Sequence, residues 1–148
     1  MTARQLSTLM VEKVWGRDVL PAPFAAPPGI RIGEIWFEPP PELPQVLVKY
    51  LFTSEKLSVQ VHPSAAAALP GEAGKEECWL VLDAEEGAEL AIGFAREVTR
   101  EEIAAAALDG SIESLLAWHP ARAGDLFYLP AGTVHAIGPG LALVEVQQ

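Results

Sequence analysis

Apolar residues in this chain fall in short alternating or consecutive runs bounded by Gly and Pro, the pattern of strands more than of helices. Ile30 to Phe37 alternates towards a strand that ends at Pro39-Pro40-Pro41. Val46 to Phe52 is the next, and Leu57 to His62 another, closed by Pro63. Cys78 to Leu82 and Ala88 to Phe94, joined by the acidic turn Asp83 to Gly87, form a predicted hairpin. The last strands are Asp125 to Leu129 and Leu141 to Gln147. Helical periodicity is confined to Thr99 to Trp118: Thr99-Arg100-Glu101-Glu102 fits a capping box, an Ala-rich run follows, and Asp109-Gly110 stops it before a second short helix at Ser111. Before the first strand, Met1 to Gly29 reads as irregular chain wrapped over a core, because Pro21, Pro23, Pro27 and Pro28 remove backbone donors. About seven short strands with one helical insertion, 99–118, predict an all-β antiparallel sandwich or barrel.

The length of 148 residues fits one domain, 1–148, and a chain of this size buries about 70% of its unfolded surface. Ten Lys and Arg against twenty Asp and Glu give a net charge of −10, which disfavours nucleic acid and anionic membranes as partners. Any anionic small substrate must therefore be met by local lysines or arginines. Cys78 is the single cysteine, so no intramolecular disulfide or Cys-rich zinc site forms, and a cytoplasmic setting is expected. No signal-like start and no apolar run long enough to span a bilayer is present.

The stretch Gly124 to His135 sharpens this picture. Leu126-Phe127-Tyr128-Leu129 favours extended structure, Pro130 and Gly132 reverse the chain, and His135 enters the next strand just beyond the turn. Residues two apart on a strand share a face, so Ser58, Gln60 and His62 point one way. By the same parity Lys75 and Glu77 share a face if the extended stretch reaches back to Lys75. With His135 added, two imidazoles, one carboxylate and one amide oxygen suit a divalent transition metal whose shell is completed by water or substrate. Taken singly, each residue has a plainer role, as a hydrogen-bonded core histidine or a surface carboxylate; their joint placement points to the metal. His119, before Pro120, is read as solvated.

Gly124, Pro130, Gly132 and His135 match the spacing of the second cupin motif, except that Pro139 stands where asparagine is usual. Gln60-Val61-His62 replaces the usual His-x-His of the first motif, and Glu77 comes fifteen residues after His62, later than usual. Both departures resemble the type I phosphomannose isomerases (mannose-6-phosphate isomerases). Leu57-Ser58-Val59-Gln60-Val61-His62-Pro63, Gly74-Lys75-Glu76-Glu77-Cys78-Trp79, Thr99-Arg100-Glu101-Glu102 and Phe127 to Gly138 resemble that family, as do Val14-Trp15-Gly16 and Ile32-Gly33-Glu34. The similarity covers Val14 to Gln148 in the family's order, and implies a cupin-type antiparallel β-sandwich, or jelly roll.

The resemblance further implies that Gln60, His62, Glu77 and His135 bind one Zn2+ per chain, that Ser58, Lys49 and Lys75 line a sugar-phosphate pocket, and that Glu145 lies near the reacting carbons. The implied activity is zinc-dependent interconversion of mannose 6-phosphate and fructose 6-phosphate, with a hexose 6-phosphate as the small-molecule partner. The general base is Glu145 or Lys75, each requiring a pKa moved towards neutrality. Family members usually continue beyond the element matched by Glu145-Val146-Gln147-Gln148 into a segment with a catalytic arginine, so Arg31, Arg96 and Arg122 are candidate substitutes, as is a partner subunit. Two alternatives differ in class: a non-catalytic metal- and sugar-phosphate-binding cupin module, and a non-haem iron oxygenase using His62, Glu77 and His135. An unfinished sheet edge at the C-terminus would pair two chains into a homodimer.

Overall fold

A computed structural model describes residues 3–70 and 74–148. Two antiparallel sheets face each other. The larger contains β1 (Thr8–Arg17), β2 (Ile32–Phe37), β3 (Leu47–Phe52), β4 (Glu77–Ala84), β7 (Leu126–Leu129) and β9 (Leu141–Gln147), in the order β1-β2-β3-β9-β4-β7. The smaller contains β5 (Glu89–Phe94), β6 (Leu116–Pro120) and β8 (His135–Ile137), in the order β6-β5-β8, and Gln60 extends it by bridging to His135. This is the antiparallel cupin-type β-sandwich with a small helical insertion that the pattern predicted.

Alternation along the strands drives the inner faces together. Leu51, Trp79, Val81 and Leu143 of the large sheet meet Leu90 and Ile137 of the small one, all at 3% exposure or less. Fully burying each such side chain contributes about 1.5–3 kcal/mol. Helix α1 (Arg100–Asp109) begins at the expected capping box, where Glu102 N donates to Thr99 Oγ1 at 3.2 Å and Thr99 N donates to Glu102 Oε2 at 2.8 Å. Gly110, at φ 82°, ends it in the left-handed region that glycine tolerates best. No helix among the described residues is long and apolar enough to cross a membrane.

Five expectations need correction. The irregular stretch 1–29, whose first two residues lie outside those described, contains strand β1. This strand pairs with β2, with register shifts after Val11 and Glu12, and its half-buried positions Val11, Lys13 and Trp15 alternate with exposed Met10, Glu12 and Val14, so burial there does not follow apolar character and leaves no alternation legible in the sequence. The wrap proper is the following segment, whose Leu20, Phe24, Ala26 and Ile30 pack on Ile35, Phe52 and Ala142 across the outer face of the large sheet. The helical insertion ends at Leu115 after a 3-10 turn (Ser111–Leu115), because Leu116–Pro120 is drawn into β6 by pairing with β5.

Leu57 to His62 is not a regular strand: its ladder reduces to the bridge at Gln60, next to Pro63, which cannot donate. The predicted hairpin is a crossover. β4 pairs with β9 and β7, β5 with β6 and β8, and the Asp83–Gly87 turn carries the chain from one sheet to the other after a register shift between Val81 and Asp83. Finally, the C-terminal strand is no edge: β9 is paired on both sides, by β3 and β4, which removes the site expected for strand pairing between two chains.

Thr53, just past β3, fixes the β8–β9 turn. Fully buried, it donates from Oγ1 to Gly138 O at 2.8 Å and accepts from Leu141 N at 3.0 Å. Thr53→Val keeps the shape but leaves Leu141 N without that side-chain acceptor, so the unfolding free energy in urea should fall by about 1–3 kcal/mol with an unchanged denaturant slope.

Candidate metal centre and charged cavity

The turn after β7 builds one half of the site. Pro130 starts it, Thr133 N donates to Pro130 O at 3.1 Å, and Gly132 at φ 88° points its N–H at His62 O, 2.7 Å away. Three residues beyond Gly132, His135 and Gln60 exchange backbone hydrogen bonds of 2.8 and 2.9 Å. Directly opposed residues of this kind present their side chains on one face, so Gln60 and His135 look the same way. Glu77 enters from the other sheet, at the first position of β4, opposite Leu129 and Gln147.

These elements bring His62, Glu77 and His135 together with one ligand atom from each within 4.8 Å of the others. His62 Nε2 lies 3.2 Å from Glu77 Oε1, and His135 Nε2 lies 3.7 Å from Glu77 Oε2. Thr133 O accepts from His135 Nδ1 at 2.9 Å, which leaves Nε2 as the lone-pair nitrogen facing the cluster. His62 Nε2 is buried and, despite its closeness to Glu77, has no hydrogen bond of acceptable geometry. Burial, and then the charge of Lys75, hold its pKa below the ordinary value, so the neutral imidazole is favoured over a cation. Gln60 donates from its amide nitrogen to Ser58 Oγ at 3.3 Å, so the oxygen is its atom suited to a cation. Two imidazoles and a carboxylate, one imidazole braced by a carbonyl and one with a nitrogen otherwise orphaned, fit a divalent metal, and the Gln60 amide is the expected fourth donor.

Beside the cluster lies a cavity of about 280 Å³ lined by, among others, Lys13, Glu34, Lys49, Lys75, Glu77 and Glu145. Their charges alternate across neighbouring strands. Lys13 Nζ is 3.5 Å from Glu34 Oε2; Lys49 Nζ is 2.9 Å from Glu34 Oε1 and 3.1 Å from Glu145 Oε1; Lys75 Nζ is 3.1 Å from Glu77 Oε1. Trp79 Nε1 donates to Glu145 Oε2 and Trp36 Nε1 to Glu34 Oε2, both at 3.1 Å.

Burial pushes the Glu145 carboxyl up, against the pull of Lys49, and the net direction is upward. Burial pulls the Lys49 ammonium down, but Glu145 and Glu34 overcome it and hold the group above its ordinary value. Glu34 is pushed up by burial and down more strongly by Lys49 and Trp36, ending low. Lys49 is thus a firmly charged cation between two carboxylates, one of which binds a proton more readily than usual.

Every residue singled out in the sequence is accounted for. Ser58, Gln60, Lys49, Lys75, Glu77, His135 and Glu145 line the cavity, and His62 sits at the metal cluster on its border. The candidate arginines lie elsewhere: Arg31 bonds Val14 O and Glu55, Arg96 bonds Glu102, and Arg122 sits in the exposed turn before β7. His119 is exposed on β6. Lys13, Trp15, Glu34 and Trp79 also line the cavity but carried no assigned role. Glu34 had a legible signal, a carboxylate inside the apolar run Ile32 to Phe37; Lys13 had none, because its strand was not recognisable.

No family model matches the chain. A mannose-6-phosphate isomerase of Streptococcus mutans is 48% identical over 108 residues and the mannose-6-phosphate isomerase ManA of Bacillus subtilis 42% over 106, each alignment covering 70% of this chain and 33% of the relative. The chain thus spans about a third of the length of the curated relatives it matches. Among solved structures, the mannose 6-phosphate isomerase from Bacillus subtilis superposes with a TM-score of 0.80 at 28% identity, covering 97% of this chain and 57% of that one. A mannosephosphate isomerase described as putative, from Archaeoglobus fulgidus, gives 0.76 at 24% identity over 97% and 59%, which supports the fold alone.

The Glu34 ion pairs set a pH dependence of stability. Its folded pKa lies below the ordinary 4.5, so its stabilisation is present above that value and is lost as pH falls through the lower, folded value. Glu34→Gln should cost about 1–3 kcal/mol of unfolding free energy at pH 7. The gap to wild type should narrow as pH drops below 4.5 in urea unfolding series.

Proposed function

The chain belongs to the mannose-6-phosphate isomerase family, and from that premise we propose that it interconverts mannose 6-phosphate and fructose 6-phosphate with zinc as its metal. The observation that carries the reading is the convergence of His62, Glu77 and His135 beside a cavity that also holds Lys49, Lys75 and Glu145. His62, Glu77, His135 and Gln60 would hold the ion. When bound, zinc supplies Lewis acidity that polarises the sugar carbonyl.

The chain's own groups do the rest. Glu145, 4% exposed and oriented by Trp79 and Lys49, is the base in this reading. Its raised pKa favours accepting a proton from the carbon next to the carbonyl and returning it to the neighbouring carbon, with electrons moving through an enediol. Between Lys75 and Glu145 the geometry favours Glu145, because Lys75 holds its ammonium against Glu77. Lys75 and Ser58 then serve as donors to the sugar phosphate. Lys49, which the resemblance implies at the phosphate, is held between two carboxylates, so its charge acts first on Glu145. The lining lysines 13, 49 and 75 are balanced by glutamates 34, 77 and 145, so a divalent ion leaves a surplus that matches a phosphate dianion.

A coupled assay of fructose 6-phosphate formation, with metal analysis of the purified protein, tests this. Wild type should turn over and carry about one zinc per chain, and His135→Ala should lose both metal and more than about 100-fold of the rate. Equal rates in the two proteins would overturn the site, stoichiometric iron without zinc would overturn the metal, and phosphosugar binding without turnover would leave only a binding module. Glu145→Gln should lower kcat by about 10²–10⁴-fold while zinc content and sugar-phosphate binding by calorimetry stay close to wild type; unchanged kcat would sink its role as base.

A further inference from the structure

The edge strand β1 reaches the cavity through a built-in irregularity. Ile32 is the ladder partner of both Glu12 and Arg17, so Lys13 to Gly16 have no partner on β2 and arch over Ile32 and Gly33, with Lys13 N donating to Arg31 O at 3.1 Å. Glycines let the two backbones meet. A Cβ at Gly16 would lie 2.5 Å from Gly33 N, and a Cβ at Gly33 would lie 2.6 Å from Lys13 Cβ and Cγ and 2.7 Å from the Trp15 ring. The sequence elements Val14-Trp15-Gly16 and Ile32-Gly33-Glu34 are thus the two sides of one contact, and the side chains that cross it, Lys13 and Trp15, line the cavity.

Of the three lysines there, Lys13 is the least committed. Lys49 lies 2.9 and 3.1 Å from two carboxylates with its side chain 11% exposed, and Lys75 lies 3.1 Å from Glu77 at 26%. Lys13 is 36% exposed, and its contact with Glu34, at 3.5 Å, is longer than an ordinary charged hydrogen bond. Glu34 also receives Lys49 at 2.9 Å and Trp36 at 3.1 Å, so it stays paired when Lys13 turns away. No arginine among the described residues lines the cavity.

We propose that Lys13 grips the phosphate of the sugar and thereby selects phosphorylated hexoses, an inference that rests on the hexose 6-phosphate reading of this cavity. Strand order puts Lys13 on the right wall: β2, β3 and β9 separate β1 from β4, which carries Glu77. The phosphate-bearing sixth carbon is likewise the end of the sugar remote from the carbonyl carbons beside the metal residues. Lys75 and Ser58 approach the anion from the metal side and Lys13 from the opposite wall, so the phosphate meets donors on two sides. An ammonium with three donors on a flexible stem suits that task.

Calorimetric titration of the zinc-loaded full chain with mannose 6-phosphate, paired with the coupled assay, tests this. Lys13→Met should weaken binding about 10–50-fold and raise KM in proportion. Its kcat should stay within about twofold of wild type, because the phosphate is held alike in the ground and transition states. Lys13→Arg should recover most of the affinity, since it keeps a cation on a long stem. Zinc content and the urea midpoint of both variants should stay close to wild type, which separates phosphate contact from a structural role. Lys56→Met removes an exposed lysine paired with Glu113 outside the cavity and should bind like wild type. If wild type binds mannose 6-phosphate and Lys13→Met binds it as tightly, or Lys56→Met loses as much affinity, the role of Lys13 alone is overturned. A wild type that binds no mannose 6-phosphate would overturn the hexose 6-phosphate reading and this inference with it.

Discussion

The site depends on one seam, where the Pro130–Val134 turn is bonded to the non-regular segment leading to Pro63. Three backbone hydrogen bonds, two between Gln60 and His135 and one from Gly132 to His62, fix three of the four expected metal ligands relative to each other. Regular strand structure is absent from 57–62 except at the bridge, so these bonds replace a ladder and their geometry is local. Gly132 matters here for a specific reason: its positive φ turns the N–H onto the His62 carbonyl, a conformation that a Cβ would strain.

Against that seam the large sheet sets a row of charges that a stability argument alone would not place there. Glu34, Lys49, Glu77 and Glu145 are each exposed by 9% or less, and taking each charge out of water costs several kcal/mol. Close pairing and indole donors offset that cost, but apolar residues in the same positions would pack as well. Lys49 illustrates the compromise. Two carboxylates share its ammonium, so neither is fully compensated, and Glu145 retains an affinity for a proton that a completely paired carboxylate would lose.

Much of this was legible beforehand, and what was not has physical causes. Period-two runs identified β2, β3, β4, β5, β7 and β9, because each buries one face in the core. β1 escaped since it is an edge strand with mostly exposed residues, and β8 was legible only as the strand that His135 enters, since three residues are too few to show a period. The supposed β4–β5 hairpin failed for a different reason: the acidic turn is chemically suited to a hairpin, yet both strands have better partners in separate sheets. Within the site, His62, Glu77 and His135 were recognisable through motif spacing, whereas the joint role of Lys13 and Glu34 depends on register between β1, β2 and β3, which no local window contains. Lys49 is placed at the phosphate by the resemblance, and the two carboxylates beside it follow from the same strand register.

The balanced row of lysines and glutamates also bears on how fast the proposed sugar phosphate would be captured. A cavity whose own side chains cancel has little reach beyond the roughly 8 Å over which charges are felt at physiological ionic strength, while the surface around it carries the excess negative charge. A doubly negative ligand therefore approaches against a weak repulsion and is attracted only once inside. Added salt screens the outer field more than the inner one, so association should quicken with ionic strength, the reverse of an electrostatically steered enzyme.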